Sequence, residues 1–198
     1  MNSTLRLDQS QVDSLLPKLL PSQGYWSDDD YLWLTDHTNQ LIEFTEGYLE
    51  ILPMPTDRHQ TLLLYIYDIL RQWARDHGGK VLVAPVRLRV REGKFREPDL
   101  MMLKDSKDPR RADRYWSGAD LVVEVVSPDR PERDWIDKRV DYAQAGIPEY
   151  WIVDPEKKTL AILRLEDGAY ELSSDSLNPA YSHVLTSSFQ LGKLFEAD

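Results

Sequence analysis

The chain has 198 residues, of which 41% are hydrophobic and 29% are charged, and these proportions are typical of a soluble globular protein. It contains no cysteine, which excludes a disulfide framework, a thiolate nucleophile and a cysteine-based zinc site. Its formal net charge of −10 argues against the usual basic kind of nucleic-acid binder.

A chain of this length usually forms one domain, or one domain with extensions, and can bury a sizeable core. No segment approaches the roughly 20 apolar residues that a membrane span needs. Residues 1–21 also lack the long apolar stretch of a secretory signal. The absence of cysteine fits a reducing compartment. We therefore expect a cytoplasmic protein with no membrane partner.

The N-terminal part predicts two short helices. Apolar side chains recur at helical spacing in residues 10–20, and a proline follows them. Three aspartates then precede the apolar and aromatic residues 31–34, which suggests a second helix with an acidic first turn. We expect residues 1–40 to form a helical extension packed on the core, and residues 41–198 to form the main domain.

The main domain mixes helices with strands. A long helix is predicted at residues 57–76, and a second one at residues 131–145. Strands are predicted at residues 41–44, 48–52, 80–84, 86–90, 100–103, 121–126, 149–153, 160–164 and 170–172. This mixture indicates a single domain of the α/β or α+β class.

Two carboxylates occupy unexpected positions beside or within apolar strands. Asp99 directly precedes the aliphatic residues 100–103, and Glu124 interrupts the aliphatic strand at residues 121–126. An ionised carboxylate buried there is costly unless it is paired or binds a metal. If the two strands are neighbours, both side chains can converge on one point, where a shared proton or a cation would stabilise them.

Oxygen ligands with no Cys or His nearby suit a hard ion such as Mg²⁺. Each carboxylate also has an ordinary explanation. Asp99 would be a turn residue or a helix cap, and Glu124 would lie on an edge strand with its side chain in water.

The helix predicted at residues 131–145 carries two stripes of side chains at helical spacing. The apolar stripe, which should face the core, consists of Ile136, Val140, Ala143 and Ile147. The polar stripe consists of Asp134, Lys138 and Tyr142. Either the polar stripe lines a cleft, or Asp134 and Lys138 form an exposed pair worth a few tenths of a kcal/mol. Periodicity alone does not decide between these two.

The order of these residues resembles the PD-(D/E)XK nuclease superfamily, in which a strand with Pro-Asp is followed by a strand with Glu and by a catalytic Lys. The usual form places the Lys two residues after the Glu, where this chain has Val126. The longer text EVVSPDRPERDWIDKRVDYAQAGIPEYWIVDP resembles the Uma-two family of endonucleases. IEFTEGYLEILPMPTDRHQ and FREPDLMML are similar to that family as well.

This resemblance implies a restriction-endonuclease-like fold, with a central mixed β-sheet flanked by helices 57–76 and 131–145. It implies that Asp99 and Glu124 bind Mg²⁺ or Mn²⁺ and that Lys138 is a catalytic lysine displaced from strand to helix. Glu43 would complete the catalytic set. The residues implied to support this set are Asp134, Tyr142 and His59, although a local cap or a core partner is the alternative for His59.

The activity implied is metal-dependent cleavage of DNA, and an enzyme that cuts both strands would act as a homodimer. Residues 87–139 have a charge balance of +2, against −12 for the rest. The candidate DNA contacts in that region, each of which is otherwise an ordinary surface charge, are Arg87, Arg89, Lys94, Arg96, Arg110, Arg111 and Arg114. The competing hypotheses are an inert binding or regulatory module that keeps the fold, and a nuclease for RNA or branched DNA.

Overall fold

The computed structural model describes residues 10, 20–175 and 177–196. The helices are α1 (Asp28–Asp36), α2 (Asp57–His77) and α3 (Lys138–Gln144), and a π-helical turn at Arg133–Asp137 leads directly into α3. Most of the helix predicted at residues 10–20 lies outside the described residues. No helix among the described residues is both long enough and apolar enough to cross a membrane.

Twelve strands are described, and they form three sheets. They are β1 (Ile42–Thr45), β2 (Tyr48–Ile51), β3 (Lys80–Val83), β4 (Leu88–Arg91), β5 (Lys94–Arg96), β6 (Leu100–Leu103), β7 (Leu121–Val125), β8 (Glu149–Asp154), β9 (Thr159–Glu166), β10 (Ala169–Ser174), β11 (Ala180–Ser182) and β12 (Ser187–Phe189). All the strands that the sequence predicted are present, with small shifts at their ends.

The central sheet has six strands in the order β10-β9-β8-β7-β6-β3. Strands β7 and β8 run parallel, and the other neighbouring pairs run antiparallel, so the sheet is mixed as predicted. Successive side chains of β7 point to opposite faces. Val123 and Val125 pack in the cluster that contains the buried side of α2, whereas Val122 packs with Tyr142 of α3.

A second sheet has four strands in the order β2-β1-β5-β4. On one face, Tyr31 of α1 stacks on Phe44 of β1 and contacts Phe95 of β5. Glu43 and Arg96 are the sequence neighbours of these two phenylalanines, so their side chains point to the other face of this sheet. Helix α1 therefore covers the face opposite to Glu43. The division of the chain at residue 41 stays a prediction.

The prediction for the apolar stripe of helix 131–145 was wrong at two positions. Ile136 is 58% exposed and Val140 is 52% exposed, whereas Lys138 and Tyr142 are buried. The π-helical turn at Arg133–Asp137 is one cause, because a π turn does not keep the α-helical spacing of side chains. The second cause is that buried carboxylates pair with the polar stripe, which removes most of the cost of burying it.

Candidate active site

The site is built where β6 and β7 lie side by side. The strands pair antiparallel with Leu100 opposite Val123. Asp99 and Glu124 therefore meet at one end of this strand pair, as the sequence predicted. The Val125 N–H donates to Asp99 Oδ2 at 2.8 Å, and the Asp99 N–H lies 3.4 Å from Glu124 Oε2. Strand β7 is central and Glu124 is only 1% exposed, so the edge-strand explanation of Glu124 is wrong.

Lys138 enters this site from α3. Its Nζ lies 2.8 Å from Glu124 Oε2, 3.1 Å from Asp134 Oδ1 and 3.8 Å from Glu43 Oε1. The lysine is 4% exposed, so the Asp134–Lys138 pair is not a surface salt bridge. Burial alone would lower the pKa of Lys138, but the charges of Glu124, Asp134 and Glu43 raise it well above its usual value. The side chain is therefore a buried cation.

Glu124 is held at both carboxylate oxygens. The Tyr142 hydroxyl donates to Oε1 at 2.5 Å, while Oε2 faces Lys138. Burial raises the pKa of Glu124 well above its usual value, the negative charges of Asp99 and Asp134 add to that effect, and Lys138 opposes it. Burial is therefore the main reason why ionisation of this carboxylate is disfavoured.

Asp99 has a different environment. His59 of α2 places Nε2 at 3.1 Å from Asp99 Oδ2, and since a carboxylate only accepts, Nε2 carries the proton. Burial alone would raise the pKa of Asp99, but the hydrogen bond and charge of His59 lower it. The same contact raises the pKa of His59 against the effect of burial. In the described part of the chain, Oδ1 of Asp99 accepts no hydrogen bond, and the Asp99 side chain is 18% exposed.

Glu43 links the site to a second buried network. Arg96 of β5 contacts Glu43 Oε2 and also donates to Asp141 Oδ2 of α3, at 2.8 Å from Nε and 2.6 Å from its terminal nitrogen. Lys94 contacts the other oxygen of Asp141. Burial opposes ionisation of Glu43, but the charges of Lys138 and Arg96 lower its pKa.

Two of the candidate DNA contacts therefore serve a different purpose. Arg96 is 6% exposed, and Lys94 is mostly buried against Asp141, so neither guanidinium nor ammonium is presented on a surface. The buried carboxylates of Glu43 and Asp141 require compensating cations, and Arg96 and Lys94 supply them.

The remaining candidates are closer to solvent, and most of them pair with carboxylates. The pairs are Arg87 with Asp36 (2.8 Å), Arg89 with Asp28 (3.1 Å), Arg110 with Asp108 and Asp120 (2.7 Å each), and Arg114 with Asp36 (2.8 Å). Arg111 is exposed and donates to the backbone oxygen of Ser106. The positive charges of most of these arginines are thus neutralised by carboxylates of the same chain.

The carboxylates and the lysine open into a cavity of about 230 Å³. Two charged residues of its lining were missed by the sequence analysis, Glu97 and Arg133. Burial and the charge of Glu43 raise the pKa of Glu97 to about 7. Arg133 is buried and donates to Glu50 at 2.8 Å. Glu97 stands two residues before Asp99, and Arg133 directly precedes Asp134, so their proximity to predicted site residues was the available signal.

Two carboxylates of the site are available to the expected metal ion. Within residues 20–175 and 177–196, no group of three or more His, Cys, Asp or Glu side chains is arranged to enclose a metal. Asp99 and Glu124 provide two carboxylates beside an open cavity, which fits Mg²⁺, because that ion uses one or two carboxylates and completes its shell with water or phosphate oxygens.

The charges of the buried side chains are also compatible with a bound metal ion. The buried acids of the two networks are Glu43, Asp99, Glu124, Asp134 and Asp141, and the cations that pair with them are Lys94, Arg96 and Lys138. With His59 neutral, five carboxylates meet three cations, and an uncompensated buried charge is costly. Either a divalent cation beside Asp99 and Glu124 or a proton on Glu124, whose pKa is raised, would reduce the excess, so the residues present are compatible with the metal.

The fold and the site together define a mixed α/β domain whose central sheet carries a buried acid–lysine cluster. The sequence matches the family described as "Uma2: Putative restriction endonuclease" over residues 28–191, and the chain belongs to that family. Its structure is similar to the crystal structure of a "putative nuclease belonging to DUF820" from Anabaena variabilis ATCC 29413, with a TM-score of 0.70. The two proteins are 18% identical, and the match covers 87% of this chain and 98% of the other. No curated protein matches this chain significantly.

Proposed function

We propose that this protein is a metal-dependent nuclease that hydrolyses phosphodiester bonds of DNA. The observation that carries the proposal is the convergence of Asp99, Glu124 and Lys138 at one open cavity, in a chain of a family described as restriction endonucleases. Each of these residues comes from a different element, and hydrophobic packing alone gives no reason to bring three charged groups together.

Asp99 and Glu124 would hold Mg²⁺ or Mn²⁺. When bound, such an ion polarises a phosphoryl oxygen and lowers the pKa of a coordinated water. The carboxylate neighbours of Lys138 raise its pKa, which favours a protonated lysine that acts as a cation. Its ammonium would stabilise the charge that develops on the phosphate or orient the attacking water. Hydrolysis then breaks one P–O bond and adds the elements of water across it.

Four further residues would position this set. Asp134 and Glu43 hold the ammonium of Lys138 from two directions, and Tyr142 holds Glu124. His59 holds Asp99. Such partners fix the orientation of metal ligands and commonly affect metal affinity by 10- to 100-fold, as an order of magnitude.

Nicking of supercoiled plasmid DNA with Mn²⁺ or Mg²⁺ tests the proposal. Wild type should nick, and Glu124→Ala and Lys138→Ala should each lose roughly a hundredfold or more of that activity. The matched controls are Glu166→Ala and Lys104→Ala, two exposed residues away from the cavity, which should nick like wild type. Loss in Glu124→Ala alone would remove Lys138 from the catalytic set. No cutting by wild type in either metal, on plasmid, linear duplex and single-stranded DNA alike, would reject the DNA nuclease.

One observation favours the second candidate, an inert binding module. Lys138 already contacts Glu124, Asp134 and Glu43, so it partly replaces the positive charge of a metal. Calorimetric titration with Mg²⁺ and Mn²⁺ separates the two hypotheses. The nuclease requires saturable binding that Asp99→Asn and Glu124→Gln remove, whereas the inert module requires none.

A further inference from the structure

The cavity above Asp99 and Glu124 has apolar surface next to its charged groups. The apolar residues at the end of the β1–β2 hairpin that line it are Leu41, Leu52, Pro53, Met54 and Pro55. Ala84 and Pro85, which follow β3, line it as well. Met54 is 74% exposed, so its side chain is accessible before any substrate binds. A phosphate by itself forms no favourable apolar contact with this surface, but a base attached to that phosphate would bury it.

Two amide side chains at the same cavity have hydrogen-bonding capacity to spare. Asn39 and Gln60 both line the cavity and are exposed. Across the described ranges, neither side-chain amide takes part in a hydrogen bond, in contrast to Gln72 of α2, which donates to Asp76. An amide carries both a donor and an acceptor, and this combination matches the edge of a nucleobase.

The surroundings are poorly suited to a long duplex. Duplex binding depends on lysines and arginines that neutralise many phosphates. Here the net charge is −10, Arg96 is buried, and Arg87, Arg89, Arg110 and Arg114 pair with carboxylates of the same chain. Glu124 and Lys138 are also almost fully buried, so a phosphate has to enter the cavity to reach them.

We propose that the cavity binds one unstacked nucleotide, with its base against the apolar hairpin residues and its edge toward Asn39 and Gln60. The substrate is then single-stranded nucleic acid, and a continuous base-paired duplex is a poor substrate. This inference rests on the proposed nuclease function and narrows its substrate. Apolar contact between the base and the hairpin residues supplies affinity that does not depend on a basic surface.

Cleavage of end-labelled oligonucleotides tests the substrate class. Wild type with Mn²⁺ is given one DNA sequence as a single strand, as a blunt duplex and as a hairpin with an unpaired loop, with an RNA single strand in parallel. We expect kcat/KM for the single strand to exceed that for the duplex by about a hundredfold, since extruding a paired base costs a few kcal/mol. Cuts in the hairpin should fall in its loop. Comparison of the RNA strand with the DNA strand shows whether the site accepts ribose, deoxyribose or both.

Equal rates on single strand and duplex would overturn the inference and leave the nuclease function standing. Failure to cut any of these substrates would overturn the nuclease function itself. The two failures are therefore distinguishable.

A pair of variants on one helix tests the position of the base. Gln60→Ala should raise KM for the single strand several-fold with little change in kcat, and it should change the preferred base beside the cut. Gln72→Ala, an exposed glutamine of the same helix outside the cavity, should match wild type in both respects. An unchanged KM and unchanged base preference in Gln60→Ala would place the base elsewhere and overturn this binding mode.

Discussion

Lys138 Nζ lies 2.8 Å from Glu124 Oε2, although the lysine comes from helix α3 and the glutamate from strand β7. In the PD-(D/E)XK pattern that the sequence resembles, both residues lie on one strand, and this chain has Val126 at the position of that lysine. Instead, Lys138 of helix α3 places its positive charge beside the same carboxylate. The chemistry of the site therefore depends on how α3 packs on the sheet, and this dependence makes separate predictions for stability and for metal binding.

Metal binding should stabilise wild type and not Glu124→Gln. A ligand at about 100 times its Kd stabilises a protein by about 2.7 kcal/mol, which for a domain of this size raises Tm by roughly 5–10 °C. Glu124→Gln keeps the shape of the side chain but removes the charge that would hold the ion. Differential scanning fluorimetry with increasing Mg²⁺ or Mn²⁺ measures the shift, and Glu166→Gln is the matched control. An equal shift in Glu124→Gln and wild type would exclude Glu124 as a ligand.

Lys138→Met should destabilise the fold strongly in metal-free buffer. The substitution keeps an unbranched chain but leaves Glu124, Asp134 and Glu43 buried near each other without their cation, and breaking such a buried pair costs about 3–5 kcal/mol. Urea denaturation at pH 7 measures the loss. Lys104→Met, at an exposed position, should cost less than about 0.5 kcal/mol.

The loss in Lys138→Met should shrink as the pH falls. Without the lysine, the folded-state pKa values of Glu124 and Asp134, which are already raised, lie further above their unfolded values. Groups with raised pKa values favour the folded state fully below the unfolded pKa, and that contribution is lost as the pH rises through the folded pKa. The variant should therefore regain stability toward pH 5 relative to wild type. A destabilisation that stays constant from pH 5 to pH 8 would contradict this electrostatic origin.

Tyr142→Phe should reduce both stability and metal affinity. The hydroxyl donates to the carboxylate of Glu124, and a hydrogen bond to a charged group is worth about 1.5–3 kcal/mol. Tyr170→Phe is a matched control in the same core, because that hydroxyl donates to the neutral carbonyl of Ile147. The control should lose about 0.5–1.5 kcal/mol and keep its Mg²⁺ affinity. Urea denaturation and calorimetry measure the two quantities, and equal metal affinities in both variants would remove Tyr142 from the site.

The sequence predicted the fold well because its signals are local. Strand β7 is a short aliphatic run, and α2 has a continuous apolar stripe, so both elements were located within a few residues. The pairing of β6 with β7 followed from the assumption that neighbouring strands are adjacent in space. That one adjacency was enough to bring Asp99 and Glu124 together.

The sequence failed where long-range charge pairing decides what is buried. Ile136 and Val140 are exposed because the helical segment buries Lys138 and Tyr142 instead. The carboxylates that stabilise this orientation come from strands distant in the sequence. Arg96 was taken for a surface cation for the same reason. Its partners are Glu43 and Asp141, and no local pattern in the sequence indicates that these two residues enclose it.

Arg96→Met provides the last prediction, since it distinguishes a structural arginine from a DNA contact. Its guanidinium compensates Glu43 and Asp141 inside the protein, so the substitution should cost about 3–5 kcal/mol in urea denaturation. Arg111→Met, at an exposed position where the guanidinium donates to a backbone carbonyl, should cost less than about 0.5 kcal/mol. If Arg96 has only this structural role, Arg96→Met that is still folded at low temperature should bind a single-stranded oligonucleotide with the same salt dependence as wild type. A salt dependence shallower by about one charge would instead mean that Arg96 reaches a phosphate.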